Sequence, residues 1–134
     1  MSISDADIKV IITDANGMQV LVERSQELAK DLKANGMTTA QIRALFGEMR
    51  QIEAEWSVES QRDSAYRRLV LFQPKMAYRA RKERGQAVKM LVDVLDKAVK
   101  LVVAAPPDKR NVYFKHFVEF FEAILAYHKA FGGN

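Results

Sequence analysis

Residues 108–131 read DKRNVYFKHFVEFFEAILAYHKAF, and the fold turns on this stretch. Pro106 and Pro107 stop whatever precedes it, and Asp108 follows as an N-cap candidate, an acceptor for the unpaired N–H groups of a first helical turn. Gly132 and Gly133 close it, because glycine tolerates the left-handed conformation at a helix stop. As one helix it runs about 36 Å at 1.5 Å per residue. Phe114, Phe117, Val118, Phe121, Ile124 and Leu125 form one apolar stripe. Tyr113, Phe117, Phe120, Ile124, Tyr127 and Phe131 form a second. Only Lys115, Glu119, Glu122 and Lys129 are left for a polar face. A helix this apolar lies between other helices, and part of it is available to meet another chain.

Working outward, the chain has 134 residues, a net charge of +4, 49% hydrophobic and 28% charged residues and no cysteine. That length supports one domain, residues 1–134, with a real core. The absence of cysteine removes disulfides, thiolate metal sites and cysteine nucleophiles. No apolar run reaches the ~20 residues of a membrane span. The N-terminal MSISDADIK is acidic and has no signal-peptide core, so a cytoplasmic location is expected.

Strand signals are scarce. Ser4–Thr13 reads as a short helix, Met18–Ala34 as a longer one ended by Gly36, and residues 38–57 as a third. Thr38 with Gln41 makes a capping box, each side chain serving the other's backbone N–H. Residues 57–64 are polar and read as a loop. Residues 65–84 are helical, with a kink or break expected near Phe72 because Pro74 lacks an N–H and clashes with the preceding turn. Residues 86–104 form the helix before the double proline. The expected architecture is all-α, a compact single-domain bundle of about five to six helices.

Charge is concentrated. Residues 62–84 hold eight basic and two acidic residues, a net +6, so the rest of the +4 chain carries −2. Tyr66 and Tyr78 lie among the arginines. Arginine's planar fork suits phosphate oxygens, and basic residues with interleaved aromatics form a nucleic-acid footprint. The same pattern also describes a solvated face paired with acids on neighbouring helices, or a surface for an acidic protein or membrane. Lys75, Arg79 and Lys82 share one side at i, i+4, i+7, a row able to follow a phosphate backbone without reading bases.

The residues for catalysis are missing. His116 and His128 stand about 18 Å apart along one helix axis and cannot share a metal. The residues three before them are Tyr113 and Leu125, not the glutamates of a di-metal bundle. No phosphate loop, nucleophile elbow or acid–base pair assembles. No enzyme, no cofactor and no metal is the expectation. For Glu122, Arg43 or Lys75 is the expected partner.

Three segments together, TTAQIRALFGEMRQIE (38–53), LVLFQPKMAYRARKERG (69–85) and FVEFFEAILAYHKAFGG (117–133), resemble the small helical subunit of the type III-A CRISPR interference complex, the Csm small-subunit family. The family's Thr-Thr-x-Gln-Ile-Arg start, Pro-Lys-hydrophobic-Ala-Tyr segment and Glu-Ala-Ile/Leu-x-Ala-Tyr-His-Lys ending occur in order across most of the chain. One departure follows Ala77-Tyr78, where smaller residues are the family's habit and this chain has Arg79, Arg81 and Lys82. The resemblance implies a non-catalytic protein that stacks in several copies beside a backbone filament holding guide RNA. It implies contact with the guide–target RNA duplex, chiefly the target strand's sugar-phosphate, with cleavage left to the backbone and large subunits. Arg43, Lys75 and Lys129 carry over at matching positions; charge and spacing add Arg50, Arg67, Arg68, Arg79, Arg81 and Lys82. Expected partners are guide and target RNA, the other effector subunits, and further copies of the chain in a filament or a dimer, with no membrane. An exchanged helix pair through Pro74 and Gly85 is one route to the dimer. The competing reading is a helical protein–protein adaptor with an acidic partner.

Overall fold

The computed structural model describes residues 3–132, which form six α-helices and, among the described residues, no strand. Helix α1 (Asp5–Thr13) opens at Ser4, whose Oγ accepts from the Asp7 N–H at 3.1 Å. Helix α2 (Met18–Ala34) ends where Gly36 takes φ +86°. There the Gly36 and Met37 N–H groups donate back to the Lys33 and Leu32 carbonyls, so the last turn leaves few unpaired acceptors. Helix α3 (Thr39–Trp56) carries the expected capping box: Gln41 N–H donates to Thr38 Oγ1 at 3.1 Å, and Thr38 N–H to Gln41 Oε1 at 2.9 Å.

Two expectations are corrected in the next helix. Residues 57–64 are not all loop, because a 3₁₀ turn (Glu59–Gln61) leads into α4 (Arg62–Lys82). The polar residues there bind α3: Arg62 Nε donates to the Trp56 carbonyl at 3.0 Å and Ser64 Oγ to Glu55 at 2.9 Å. Nor does Pro74 break the chain, which stays helical through it. The penalty for an interior proline is about 3 kcal/mol. Ala65, Leu69, Phe72 and Met76 are buried along one face on both sides of it, and four such side chains outweigh that penalty. Pro74 itself is exposed, so the hydrogen bond it cannot make is lost on the side that water reaches. An exchange of helices through a break at Pro74 therefore has no hinge; the turn at Gly85, φ +84°, is the remaining one.

Helix α5 (Ala87–Val103) is followed by α6 (Pro107–Ala130). Asp108 is not the cap. Pro106 holds the cap position and Pro107 starts the helix, where its missing N–H costs nothing. Asp108 sits inside the first turn, favourable for a carboxylate near the positive end of the helix. Gly133 lies outside the described residues.

As its apolar stripes require, α6 is the central helix and packs on α1, α2, α3 and α5. Phe114, Phe117, Phe120, Phe121 and Ile124 are buried in a cluster to which all six helices contribute. Trp56 stacks on Phe114 at 4.1 Å between ring centres, while its Nε1–H donates to Asn111 Oδ1 at 2.8 Å. Phe46 meets Phe121 edge-on at 5.3 Å. His128, fully buried, has Nε2 2.8 Å from the Met37 carbonyl and ties the end of α6 to the α2–α3 turn. Tyr113, Tyr127 and Phe131 stay half-buried. Helix α4 is the outer one, resting on α3 and α5.

Candidate nucleic-acid interface

Helices α3 and α4 form an antiparallel hairpin whose side-chain bonds step in opposite directions along the two chains: Ser64 to Glu55, Arg68 to Gln51, Lys75 to Glu48, Gln41 to Glu83. These bonds use up part of the basic segment. Arg68 reaches Glu48 at 3.5 Å and Glu55 at 3.6 Å. Lys75 Nζ lies 3.1 Å from the same Glu48. Arg79 makes a long contact of 3.8 Å with Glu83. On α3, Arg50 bridges Glu53 at 2.8 Å and Glu122 at 3.1 Å. Glu122 is therefore held by Arg50, not by Arg43 or Lys75. Arg68 and Lys75 of α4 are thus paired with half-buried acids of the neighbouring α3, Glu48 and Glu55, as in a solvated helix face.

The rest of the set is open. Arg43, Arg67, Arg81, Lys82, Arg84 and Lys129 are exposed and have no ion-pair partner among the described residues. Gln41 bonded to Glu83 brings the start of α3 to the end of α4, and His128 against Met37 brings the end of α6 to the same end of the bundle. Arg43, Arg79, Arg81, Lys82, Arg84 and Lys129 therefore gather at one end, while Arg50, Arg67 and Arg68 lie further along the hairpin. The row Lys75, Arg79, Lys82 holds: all three line a groove of about 520 Å³ between α3 and α4. Arg81 does not share it. With Lys89 it lines a second groove of about 480 Å³ between α4 and α5, opposite Asp93 and Asp96.

Three exposed residues of this surface were not among the nine expected. Arg84 was within the counted charge but outside the helix row. Leu71 and Tyr78 are 56% and 67% exposed. Their signal was in the spacing, since the buried stripe Ala65, Leu69, Phe72, Met76 leaves both on the outer face. His116, by contrast, is committed to structure, with Nδ1 2.7 Å from the Ile12 carbonyl. Among the described residues no cluster of histidine and carboxylates is arranged to hold a metal ion, and no helix is long and apolar enough to cross a membrane.

The family model described as Csm2 Type III-A matches residues 15–134. The chain belongs to the Csm2 type III-A family. It is thus a small subunit of a type III-A CRISPR effector, a structural subunit that works in a complex with other subunits. No curated protein matches the chain, and no solved structure matches it. The match begins just before α2, so α1 is outside it while the whole basic hairpin and α6 are within. The resemblance drawn from the three sequence segments and the helical bundle agree with this membership.

Proposed function

We propose that this Csm2-family chain is the non-catalytic RNA-contacting subunit of its effector, a cytoplasmic protein of antiviral defence. It stacks in several copies and holds the guide–target RNA duplex, mainly the target strand, through sugar and phosphate. The observation that carries this reading is the unpaired positive charge on the outer helix: Arg67, Arg81 and Lys82 on α4, with Arg84 in the turn after it and Arg43 beside its end. A charge with no acid to neutralise it in the folded chain is free for phosphate. Arginine and lysine on one outward helix touch backbone oxygens and read no bases. Specificity then comes from base pairing between guide and target, and the protein needs only to follow a charged shape.

Arg79 and Lys75 contribute by trading weak partners for phosphate. Arg50 and Arg68 serve the hairpin and are secondary. Lys129 stands at the same end on α6. The nine-residue expectation thus divides into bases that hold the bundle and bases that face outward.

The test is fluorescence anisotropy of the purified chain with unrelated single-stranded and duplex RNAs over a salt series. Three to five phosphate contacts give an affinity loss of about 40- to 500-fold over a fourfold rise in salt, with no dependence on sequence. No binding at low salt defeats the reading of the isolated surface and puts the adaptor with an acidic partner in its place.

A further inference from the structure

We infer that the groove between α3 and α4 is a seat for an unpaired RNA base, with Tyr78 as its stacking platform. This deepens the RNA-contacting reading and rests on it. The groove has a floor of Ala44, Leu45 and Phe72 and a rim of Lys75, Arg79 and Lys82, with Tyr78 between the rim bases. The Tyr78 ring is 67% exposed, and Leu71, one further exposed apolar residue, lies two turns earlier on the same outer face. Other large rings, among them Trp56, Tyr66, Phe114 and Phe121, are already in contact with a second ring, Trp56 stacked on Phe114 and edge-on to Tyr66, and Phe121 edge-on to Phe46. Tyr78 belongs to none of those pairs among the described residues.

A surface that only tracks phosphates can use the Tyr78 hydroxyl as a donor but has no use for the face of its ring. A-form duplex turns its sugars and phosphates outward and keeps its base faces stacked inside, so it offers Tyr78 nothing flat to cover. An unpaired nucleotide offers both parts. Its base lies on the ring, as at single-strand sites where aromatic platforms alternate with basic residues. Its phosphates reach Arg79 and Lys82. The one acid of the groove is Glu48, and it already accepts from Lys75 at 3.1 Å and from Arg68 at 3.5 Å, so it repels an anionic ligand little. The apolar floor takes the base edge without asking for a particular hydrogen bond, which makes the seat indifferent to base identity.

The test uses the full chain, an unstructured RNA, the same RNA carrying abasic positions, and a perfect duplex, each by anisotropy. Tyr78→Ala is expected to weaken binding of the intact single strand about 5- to 150-fold and to leave duplex and abasic strand unchanged. Tyr78→Phe keeps the platform and is expected to bind as the wild type does. Melting curves that coincide for all three proteins confirm that only the surface has changed. Equal single-strand affinity for Tyr78→Ala and wild type overturns the inference, as does an abasic strand bound as tightly as the intact one. So does a Tyr78→Ala loss that is the same for duplex and single strand. Replacement of Arg81 and Lys82 separates the two readings: if it weakens duplex binding while the Tyr78 variants are silent, the phosphate surface stands and the base seat falls. Absence of any RNA binding by the wild type brings down both.

Discussion

Arg68→Gln and the double change Arg81→Gln, Lys82→Gln remove charge from the same helix and are expected to have opposite consequences. Arg68 is about one-third exposed and lies between Glu48 at 3.5 Å and Glu55 at 3.6 Å, with Gln51 Oε1 accepting from it at 3.0 Å. Glutamine keeps the packing but leaves Glu55 without its ion-pair partner, with only the Ser64 hydroxyl still donating to it, while Lys75 still serves Glu48. Discounted for solvent screening, the loss is about 1 kcal/mol, a fall in melting temperature of about 3–5 °C for a chain of this size. RNA affinity should hardly move. Arg81 and Lys82 have no ion-pair partner among the described residues and are exposed, so their loss leaves melting within about 2 °C. If each touches a phosphate, the slope of log K against log salt flattens by about 1.8. The affinity loss over a fourfold rise in salt then shrinks about twelvefold. The assay is a paired one, calorimetry for melting and anisotropy across 50–200 mM salt, the interval over which such slopes are resolved. Equal salt slopes for the two variants, or a melting loss confined to the double change, refutes the division between structural and outward-facing bases.

Phe121→Ala should destabilise the chain by about 3–5 kcal/mol, because Phe121 is fully buried and meets Phe46 edge-on; denaturant unfolding checks it, and a loss under 1 kcal/mol would mean α6 is not central. Pro74→Ala should raise the melting temperature by several degrees, as it restores a helical N–H at an exposed site; a fall would show that the proline relieves strain. Lys97 should titrate above the ordinary lysine range, since its Nζ donates to Asp5 at 2.9 Å. That raised value makes the pair's stabilisation complete below the unfolded lysine pKa and lost as pH climbs through the folded one. In Asp5→Asn the Lys97 value should drop back, measured by carbon NMR of the lysine side chains, and an unmoved titration would dissolve the pair.

The fold was legible where local chemistry decides it. Thr38 with Gln41, the span Met18–Ala34 and the aromatic spacing of α6 each depend on neighbours within a turn or two. Pro74 misled because a local breaker was weighed without the buried face that Leu69, Phe72 and Met76 supply. Asp108 misled because two prolines before it could start the helix unaided. In the candidate interface, the density of positive charge was legible and its partition was not. Arg50 meets Glu122 across 72 residues and Arg68 meets Glu48 across 20, and such pairings exist only once α3 is set between α4 and α6. Tyr78 was noted among the arginines, but its exposure follows from which face of α4 the bundle covers.

Helix α4 is held by its inner face alone, on α3 and α5, whereas α6 is enclosed by four helices. This gives the two helices different freedom to diverge. A substitution on the outside of α4 repacks nothing and alters only what the surface meets. A substitution at a buried position of α6 must be answered by changes on several other helices at once. Descendants of this chain can therefore retune what the outer face of α4 meets one residue at a time, while the bundle that carries it stays constant.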